Sequence, residues 1–230
     1  MFETFYFGSL HHPLWSWVSV ALIFACLRGL HGREIRFQDP FIRFFLILFG
    51  LEMAIDAWWT GGFTPFPEGT LAQNGAIVFV ILGDWRYFVL VERYAGSDGH
   101  NQGPRFWLRA LAWAFIIPVL SGIGTAIWPD FFADPRWIYL VYELMFLGLA
   151  CALGVFVLPK RLEALPEPVR RFVFGLTWFV AAQYALWAYA DMVILAYGDI
   201  GFGFRLIPNA LYYAFFLAFV LRYAPRAEMP

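Results

Sequence analysis

Long apolar stretches separated by short polar segments are the dominant pattern along this chain. Seven such stretches run for about 17–25 residues each, which is enough for a helix to cross a hydrocarbon core of about 30 Å. The segments between them are too short to hold a soluble domain. The sequence therefore predicts an all-α, polytopic integral membrane protein, with residues 1–230 forming a single seven-helix transmembrane domain. The predicted helices cover residues 14–30, 41–59, 74–94, 106–128, 137–157, 172–197 and 206–223.

The composition supports a membrane protein and argues against a nucleic-acid-binding protein. Hydrophobic residues make up 61% of the chain and charged residues only 14%, whereas soluble domains carry about 25% charged residues. The net charge of −1 leaves no basic excess that would attract nucleic acid. We expect membrane lipids as partners and no nucleic acid, and an oligomer or a larger membrane assembly is left open.

The distribution of positive residues predicts the orientation in the membrane. Of the 16 Lys and Arg residues, all but Arg86, Arg136 and Arg205 fall on one side of the predicted helices. Positive charge is retained on the cytoplasmic side, so the N-terminus is expected outside and the C-terminus inside. The first helix lacks a basic leading segment and a small-residue cleavage site, which indicates a retained anchor. The expected location is a bacterial inner (plasma) membrane.

Acidic side chains inside the predicted helices are the main functional signal. A charged group at the centre of a membrane helix costs about 2.5–3.5 kcal/mol on insertion scales. Arg86, also within a helix, is expected to pair with Glu52 or Glu143, and the other acids must then be protonated, hydrated or in contact with a ligand. A rise of about 1.5 Å per residue places Glu92 close to the inner headgroups and the other five acids between the membrane midplane and its outer surface. These five acids are Glu52, Asp56, Asp84, Glu143 and Asp191.

The candidate site residues follow from depth and helical phase. Glu52, Asp84 and Glu143 lie nearest the membrane centre and are the candidate catalytic residues. Polar and aromatic residues on neighbouring helical faces are the candidate substrate-binding residues. Holding helices together, at about 0.6–2 kcal/mol per contact, is the alternative role for each of these side chains. The candidate substrate-binding residues are Asp56, Arg86, Gln183, Tyr184, Trp187, Asp191, Asn209, Tyr212 and Tyr213.

The predicted helices lack several residue types, and these absences exclude some kinds of functional site. The helices contain no Lys, with Lys160 in a loop, which excludes a retinal Schiff base. All four His residues fall outside them, which argues against haem ligation and zinc hydrolase chemistry. His11 and His12 are expected near the outer headgroups. A site made of carboxylates alone suits Mg²⁺ or Ca²⁺, but no Asp-rich phosphate-binding motif is present. We therefore predict no metal, and the cofactor stays unknown.

Aromatic residues, which make up 21% of the chain, are the second functional signal. Most suit lipid-facing packing and interfacial belts, but Trp113, Trp178 and Trp187 are predicted to lie deeper. A carboxyl group in an apolar, aromatic-lined pocket can serve as a proton donor, and aromatic faces stabilise passing cations. Together these groups suit protonation of an alkene or epoxide in an isoprenoid, or proton shuttling on a lipid-like substrate.

Two segments resemble the membrane-bound terpene cyclases. They are LEMAIDAWW in the second predicted helix and GDWRYFVLVERYA in the third, each with an acid inside the span. The chain size and the seven predicted helices are also similar to that family. The resemblance implies an intramembrane enzyme acting on an isoprenoid. It does not extend to the seventh helix, where the family carries a catalytic acid and this chain has Asn209 and tyrosines.

Three functions are compatible with these residues. The first is an intramembrane enzyme that uses the central carboxylates as general acid and base on an apolar isoprenoid- or lipid-like substrate. The second is a small proton-coupled transporter of the 3+1+3 helix type, suggested by an Arg-Phe pair at 43–44 that recurs at 171–172. Transporters need discontinuous helices, and only Pro118 and Pro208 interrupt the predicted spans, which favours the enzyme. The third is a pigment- or lipid-binding subunit of a membrane assembly.

Overall fold

The computed structural model of the protein describes residues 1–8, 11–29, 40–60, 70–96 and 104–225. Within these ranges the chain is helical and forms no strand, which confirms the predicted all-α class. A helix satisfies its backbone hydrogen bonds internally, as a chain in hydrocarbon must do. Most of two predicted loops, 60–73 and 96–104, lies outside the described residues.

Ten α-helices are found in the described ranges. Two π-helical turns, Leu153–Val157 and Leu211–Phe215, join α6 to α7 and α9 to α10, so each pair continues as one helix. A 3₁₀ turn, Phe131–Ala133, precedes α6. The α-helices are α1 (Phe2–Tyr6), α2 (His11–Gly29), α3 (Pro40–Trp59), α4 (Thr70–Ala95), α5 (Arg105–Ile127), α6 (Pro135–Ala152), α7 (Leu158–Leu162), α8 (Glu167–Tyr197), α9 (Asp199–Ala210) and α10 (Phe216–Tyr223).

Each of the seven predicted stretches overlaps a helix, and four helices of the described ranges are long and apolar enough to cross a membrane. In α2 the apolar stretch is shorter, Leu14–Ala25. Both α3 and α4 contain three or more charged residues. The four membrane-length helices are Arg105–Ile127, Pro135–Leu162, Glu167–Tyr197 and Asp199–Tyr223.

The chain divides into two compact units, which we call unit 1 (residues 3–80 and 209–230) and unit 2 (residues 81–208). In unit 1, α2 packs along α3 and against the second π-helical turn, and α10 packs on α3. The α2–α3 approach is close, because a Cβ atom on Gly50 would lie only 2.6 Å from Cγ1 of Ile23.

Unit 2 is held together mainly by the packing of α6 on α8 and of α5 on α6. The C-terminal half of α4 joins them through aromatic rings. Phe88 stacks on Trp113 with ring centroids 6.0 Å apart and contacts Phe146 at 5.8 Å. Tyr94 packs edge-on against Phe172 at 5.4 Å. Phe88 and Phe146 are almost completely buried, so this aromatic packing forms the core of the unit.

Two helix boundaries differ from the sequence prediction. Residues 199–204 were expected to form a turn, but they are the first half of α9. The chain reverses at Gly198, whose φ of 64° is in the left-handed region that glycine adopts without steric cost. The helix α6 begins earlier than expected, because Asp134 caps it by accepting a hydrogen bond from the Arg136 amide at 2.8 Å and a proline occupies its first position.

A third helix boundary changes the position that was predicted for Lys160. The helix that begins at Pro135 continues through α7 to Leu162, so Lys160 lies in its last turns and not in a loop. Its side chain is exposed.

Candidate functional site

Asp84 in α4 is bound by two tyrosine hydroxyl groups from different helices. Tyr142 of α6 donates to Oδ2 of Asp84, and Tyr184 of α8 donates to Oδ1. Asp84 is buried, with 2% of its surface exposed. Both carboxylate oxygens are therefore hydrogen-bonded, and the group joins the three helices that form the core of unit 2. We call Asp84, Tyr142 and Tyr184 the Asp84 site.

Aromatic rings hold the Asp84 site in place. The ring of Tyr184 stacks on Phe146 with centroids 4.1 Å apart and planes at 18°. On another side, Trp187 meets the same ring edge-on at 5.3 Å. Because the Tyr184 ring is clamped between its neighbours, its hydroxyl group stays directed at Asp84. Tyr184 and Trp187, both candidate substrate-binding residues and three positions apart in α8, are thus in direct ring contact.

A second group of buried charges lies in the same unit. Arg205 of α9 donates to Asp191 of α8 and lies 3.6 Å from Oε1 of Glu143 in α6. Arg136 also reaches Asp191, at 3.3 Å. Two acids are thus matched by two arginines, so the formal charges balance. We call these four residues the Asp191–Arg205 cluster.

The Asp191–Arg205 cluster shows that more of the buried acids are paired with a cation than the sequence predicted. The apolar pattern predicted Arg136 and Arg205 in outer loops, so that Arg86 was expected to be the only cation among the acids. The earlier start of α6 and of α9 instead brings both arginines into helices, where they bind Asp191. The expected pairing of Arg86 with Glu143 is wrong, because Glu143 pairs with Arg205.

In unit 1, Asp56 forms the centre of a third group. The hydroxyl of Tyr213, in the second π-helical turn, donates to Oδ2 of Asp56 at 2.9 Å. Trp15 of α2 stacks on the Tyr213 ring, with centroids 5.9 Å apart and planes at 14°. Asp56 is 5% exposed. The proposed contact residues Asp56 and Tyr213, chosen from the sequence separately, are therefore direct partners.

Asn209 lies close to His11, which was not predicted to be near it. Its Nδ2 lies 3.2 Å from Nε2 of His11 and 3.5 Å from the hydroxyl oxygen of Tyr6. His11 was expected near the headgroups and outside the helices, but it is the first residue of α2 and is 2% exposed. A sequence signal existed: His11, Trp15 and Ser19 recur every four residues and so share one helical face. His11 and Ser19 are both buried.

The remaining candidate residues are placed as follows. Glu52, Arg86, Gln183 and Tyr212 are buried, whereas Trp187 is half-buried. Among the residues that the structure describes, Oε1 of Gln183 has no hydrogen-bond partner. Glu52 lies one turn before Asp56 and on the same buried face of α3, as its spacing predicts.

The Asp84 site differs from the Asp191–Arg205 cluster in the hydrogen-bond donors that surround its carboxylate. Its carboxylate takes its hydrogen bonds from tyrosines, whereas Asp191 is held by arginines in ion pairs. No cluster of three or more His, Cys, Asp or Glu side chains suited to a metal ion occurs in the described part of the chain. The chain shows no match to protein-family models, to curated protein sequences or to solved structures.

Proposed function

We propose that this protein is an intramembrane enzyme in which Asp84 transfers a proton to an apolar, isoprenoid- or lipid-like substrate. The observation that carries the proposal is the pair of tyrosine hydroxyls on one buried carboxyl group. Two donors from two helices, aimed at the two oxygens of one carboxylate, are the arrangement expected where negative charge develops during a reaction.

The proposed chemistry is proton donation to an alkene or epoxide. When the acid form of Asp84 gives up its proton, Tyr142 and Tyr184 stabilise the carboxylate that remains, because hydrogen bonds to an ionised acceptor are strong. The substrate gains a positive charge in the same step. The faces of aromatic rings such as Phe146 and Trp187 attract a cation, and both rings contact Tyr184.

Glu143 lies in unit 2 with Asp84 and is a candidate for the base that takes up a proton at the end of the reaction. Its ion pair with Arg205 favours a structural role. Glu52 lies in unit 1 on the same buried face of α3 as Asp56, and we propose a separate proton-exchange role for it there. Among the candidate contact residues of unit 2, Gln183 has a buried acceptor oxygen.

We also propose seven membrane spans, with the N-terminus outside and the C-terminus cytoplasmic, in a bacterial inner membrane. The charge distribution supports this orientation, because the two arginines that end on the predicted outer side are both engaged with Asp191. Apart from Arg86, which lies within α4, the other positive residues fall on the predicted cytoplasmic side, as expected for topology-determining charges.

The proposal is tested on the lipid content of membranes. Cells producing the wild-type protein or Asp84→Asn are extracted with organic solvent, and the extracts are compared by mass spectrometry. We expect an apolar product that is lost with Asp84→Asn at an unchanged level of folded protein, since a general acid contributes about 10²–10⁴-fold to a rate. An unchanged product with Asp84→Asn would overturn the proposal.

Variants of the two tyrosines test whether their hydrogen bonds to Asp84 contribute to the reaction. Tyr142→Phe and Tyr184→Phe each remove one donor to Asp84 and are expected to reduce the product. Tyr87→Phe is the matched control, because its buried hydroxyl donates to Thr177 at 3.1 Å and not to Asp84. The control is expected to keep the wild-type amount of product.

A proton-coupled transporter is the second candidate function. It is favoured by the π-helical turn Leu211–Phe215, which follows Pro208 closely and interrupts the regular helix beside Asn209. Such irregular turns are frequent at functional sites, and transporters use broken helices to bind solutes. Proton-dependent uptake into proteoliposomes, abolished by Glu52→Gln, would support the transporter. An ordered pigment or lipid that co-purifies without turnover would support a binding subunit.

A further inference from the structure

Glu92, at the C-terminal end of α4, organises a second pocket far along the helix from the acid at position 84. Arg109 donates to Oε2 of Glu92 through Nε at 3.1 Å, and Arg161 donates to Oε1 through Nη1 at 3.1 Å. Trp113 also donates its ring N–H to Oε1, at 3.1 Å. Glu92 is 3% exposed. One buried carboxylate therefore fixes two guanidinium groups at one place.

These residues line a pocket of about 580 Å³. The volume lies within the range of about 300–1,000 Å³ that is typical of small-ligand sites. One acid and two arginines leave a formal charge of +1 in the lining, so the pocket favours an anion. Arg161 uses one guanidinium nitrogen on Glu92, and a guanidinium group has five N–H donors. The side chain of Arg161 is 38% exposed, so its other donors are accessible to a ligand.

The pocket is polar at one end and apolar at the other. Along α5 it is lined by Arg109, Ala112, Trp113 and Ile116, which follow one another at helical spacing on a single face. Arg109 lies one turn from the start of α5, and Ile116 lies about 10 Å deeper along the axis at 1.5 Å per residue. A ligand that fills this pocket would carry its charge at the helix ends and an apolar part alongside α5.

The pocket lies at the ends of two membrane-length helices. Arg109 lies in the first turns of the membrane-length helix Arg105–Ile127, and Arg161 lies in the last turn of the membrane-length helix Pro135–Leu162. Since both arginines bind Glu92, these two helix ends meet at the same level. Lipid headgroups occupy that level, and basic pockets between membrane helices are known to hold anionic headgroups.

We propose that this pocket binds the phosphate headgroup of an anionic membrane phospholipid, with the acyl chains running along Ala112 and Ile116. Arg161 and Arg109 contact the phosphate, and Glu92 holds both guanidinium groups in position. The inference rests on the membrane-length helices and on the pocket itself. It does not depend on the acid–base chemistry proposed for Asp84, and either proposal can fail without the other.

The test is a binding titration of the purified full-length protein in a neutral detergent, followed by native mass spectrometry. Phosphatidylglycerol is the probe, phosphatidylcholine is the neutral-headgroup comparison, and glycerol 3-phosphate is the soluble source of the same phosphate chemistry. We expect phosphatidylglycerol to bind and the other two to bind at least about tenfold more weakly, because only the probe offers both charge and acyl chains. Equal binding of phosphatidylcholine or of glycerol 3-phosphate would overturn the proposal.

Arg161→Gln is expected to weaken phosphatidylglycerol binding about fivefold, the value of one basic residue at a lipid surface. Arg170→Gln is the matched control: the side chain of Arg170 is 40% exposed and bound to Glu167, outside this pocket. Wild-type affinity in Arg161→Gln, or an equal loss in the control, would overturn the proposal.

A second variant keeps the test valid if Arg161→Gln disturbs the fold. Ala112→Trp fills the apolar part of the pocket and leaves both arginines unchanged. We expect it to reduce phosphatidylglycerol binding, whereas Ala126→Trp, an exposed position on the same helix outside the pocket, retains it. Unreduced binding in Ala112→Trp would contradict the proposed path of the acyl chains.

Discussion

Arg205 and Asp191 form a buried ion pair between α9 and α8, although they are only 14 positions apart in the chain. Asp191 is completely buried and Arg205 is 9% exposed. Arg136 and Glu143 complete the Asp191–Arg205 cluster, which therefore joins α6, α8 and α9. A buried charge is tolerated only while its partner is present, so the energetic consequences of this pair can be measured directly.

Removing Arg205 is expected to destabilise the protein strongly. Arg205→Met leaves Asp191 and Glu143 without their shared cation, and breaking a buried pair from one side costs about 3–5 kcal/mol. The free energy of unfolding in mixed micelles measures the loss. Arg136→Met serves as the control, because Arg136 is more exposed and 3.3 Å from Asp191, and it should cost less. The double variant Asp191→Asn/Arg205→Met should cost less than the two single changes added together.

The hydrogen bonds to Asp84 are expected to contribute more to stability than a comparable bond between neutral groups. Tyr184→Phe leaves a buried carboxylate oxygen without its donor, and the expected loss is about 1.5–3 kcal/mol. Tyr87→Phe removes a buried hydroxyl that donates to Thr177, a neutral bond worth about 1 kcal/mol. Equal losses in chemical unfolding would show that the Asp84 carboxylate is not preferentially stabilised by Tyr184.

Two glycines in unit 2 are expected to respond to alanine with opposite signs. A Cβ atom on Gly201 would lie 2.4 Å from the backbone nitrogen of Ile194, and backbone cannot move aside cheaply. Gly201→Ala is therefore expected to destabilise by about 1–3 kcal/mol. A Cβ on Gly148 in α6 meets no described atom within 4 Å, so Gly148→Ala should stabilise the helix by about 0.5–1 kcal/mol. Thermal unfolding of the two variants makes the comparison.

The contact between His11 and Asn209 is expected to appear as coupling between two substitutions. His11→Phe keeps an aromatic ring beside Tyr6 and Trp15 but loses the bond to Asn209, with an expected loss of about 0.5–1.5 kcal/mol. After that change, Asn209→Leu should cost less than it does alone, since the shared bond is already gone. Strictly additive losses of unfolding free energy would mean that the two side chains do not interact.

The apolar pattern was sufficient to predict where the helices lie, but not where they end. Hydropathy locates the part of a helix that suits hydrocarbon, whereas the ends are set by local backbone chemistry. At α6 the end is set by the cap at Asp134, and at α9 it is set by the left-handed Gly198. Each error of a few residues moved an arginine, first Arg136 and then Arg205, from a loop into a helix. The expected surplus of uncompensated acids followed from those errors.

The sequence predicted which residues belong to the candidate site better than it predicted the contacts between them. Helical phase identified Asp84 and Tyr184 as buried polar residues, but it gives no distance between separate helices. Tyr142 was missed, because it neighbours Glu143 in sequence and its hydroxyl reaches Asp84 only when α6 packs on α8 and α4. Packing of side chains across helices is set by the whole core, in which the ring of Phe146 has the central place.

The sharp reversal at Gly198 has a consequence for how the chain enters a membrane. Because α9 starts one residue after the turn, α8 and α9 form a hairpin whose two arms bring Asp191 and Arg205 into register. Both members of the ion pair, Asp191 and Arg205, belong to this hairpin. The hairpin can therefore be inserted during synthesis as a unit in which the two opposite charges are already paired. Neither charge then has to be transferred into hydrocarbon alone, which is the most costly way to insert an ionisable residue.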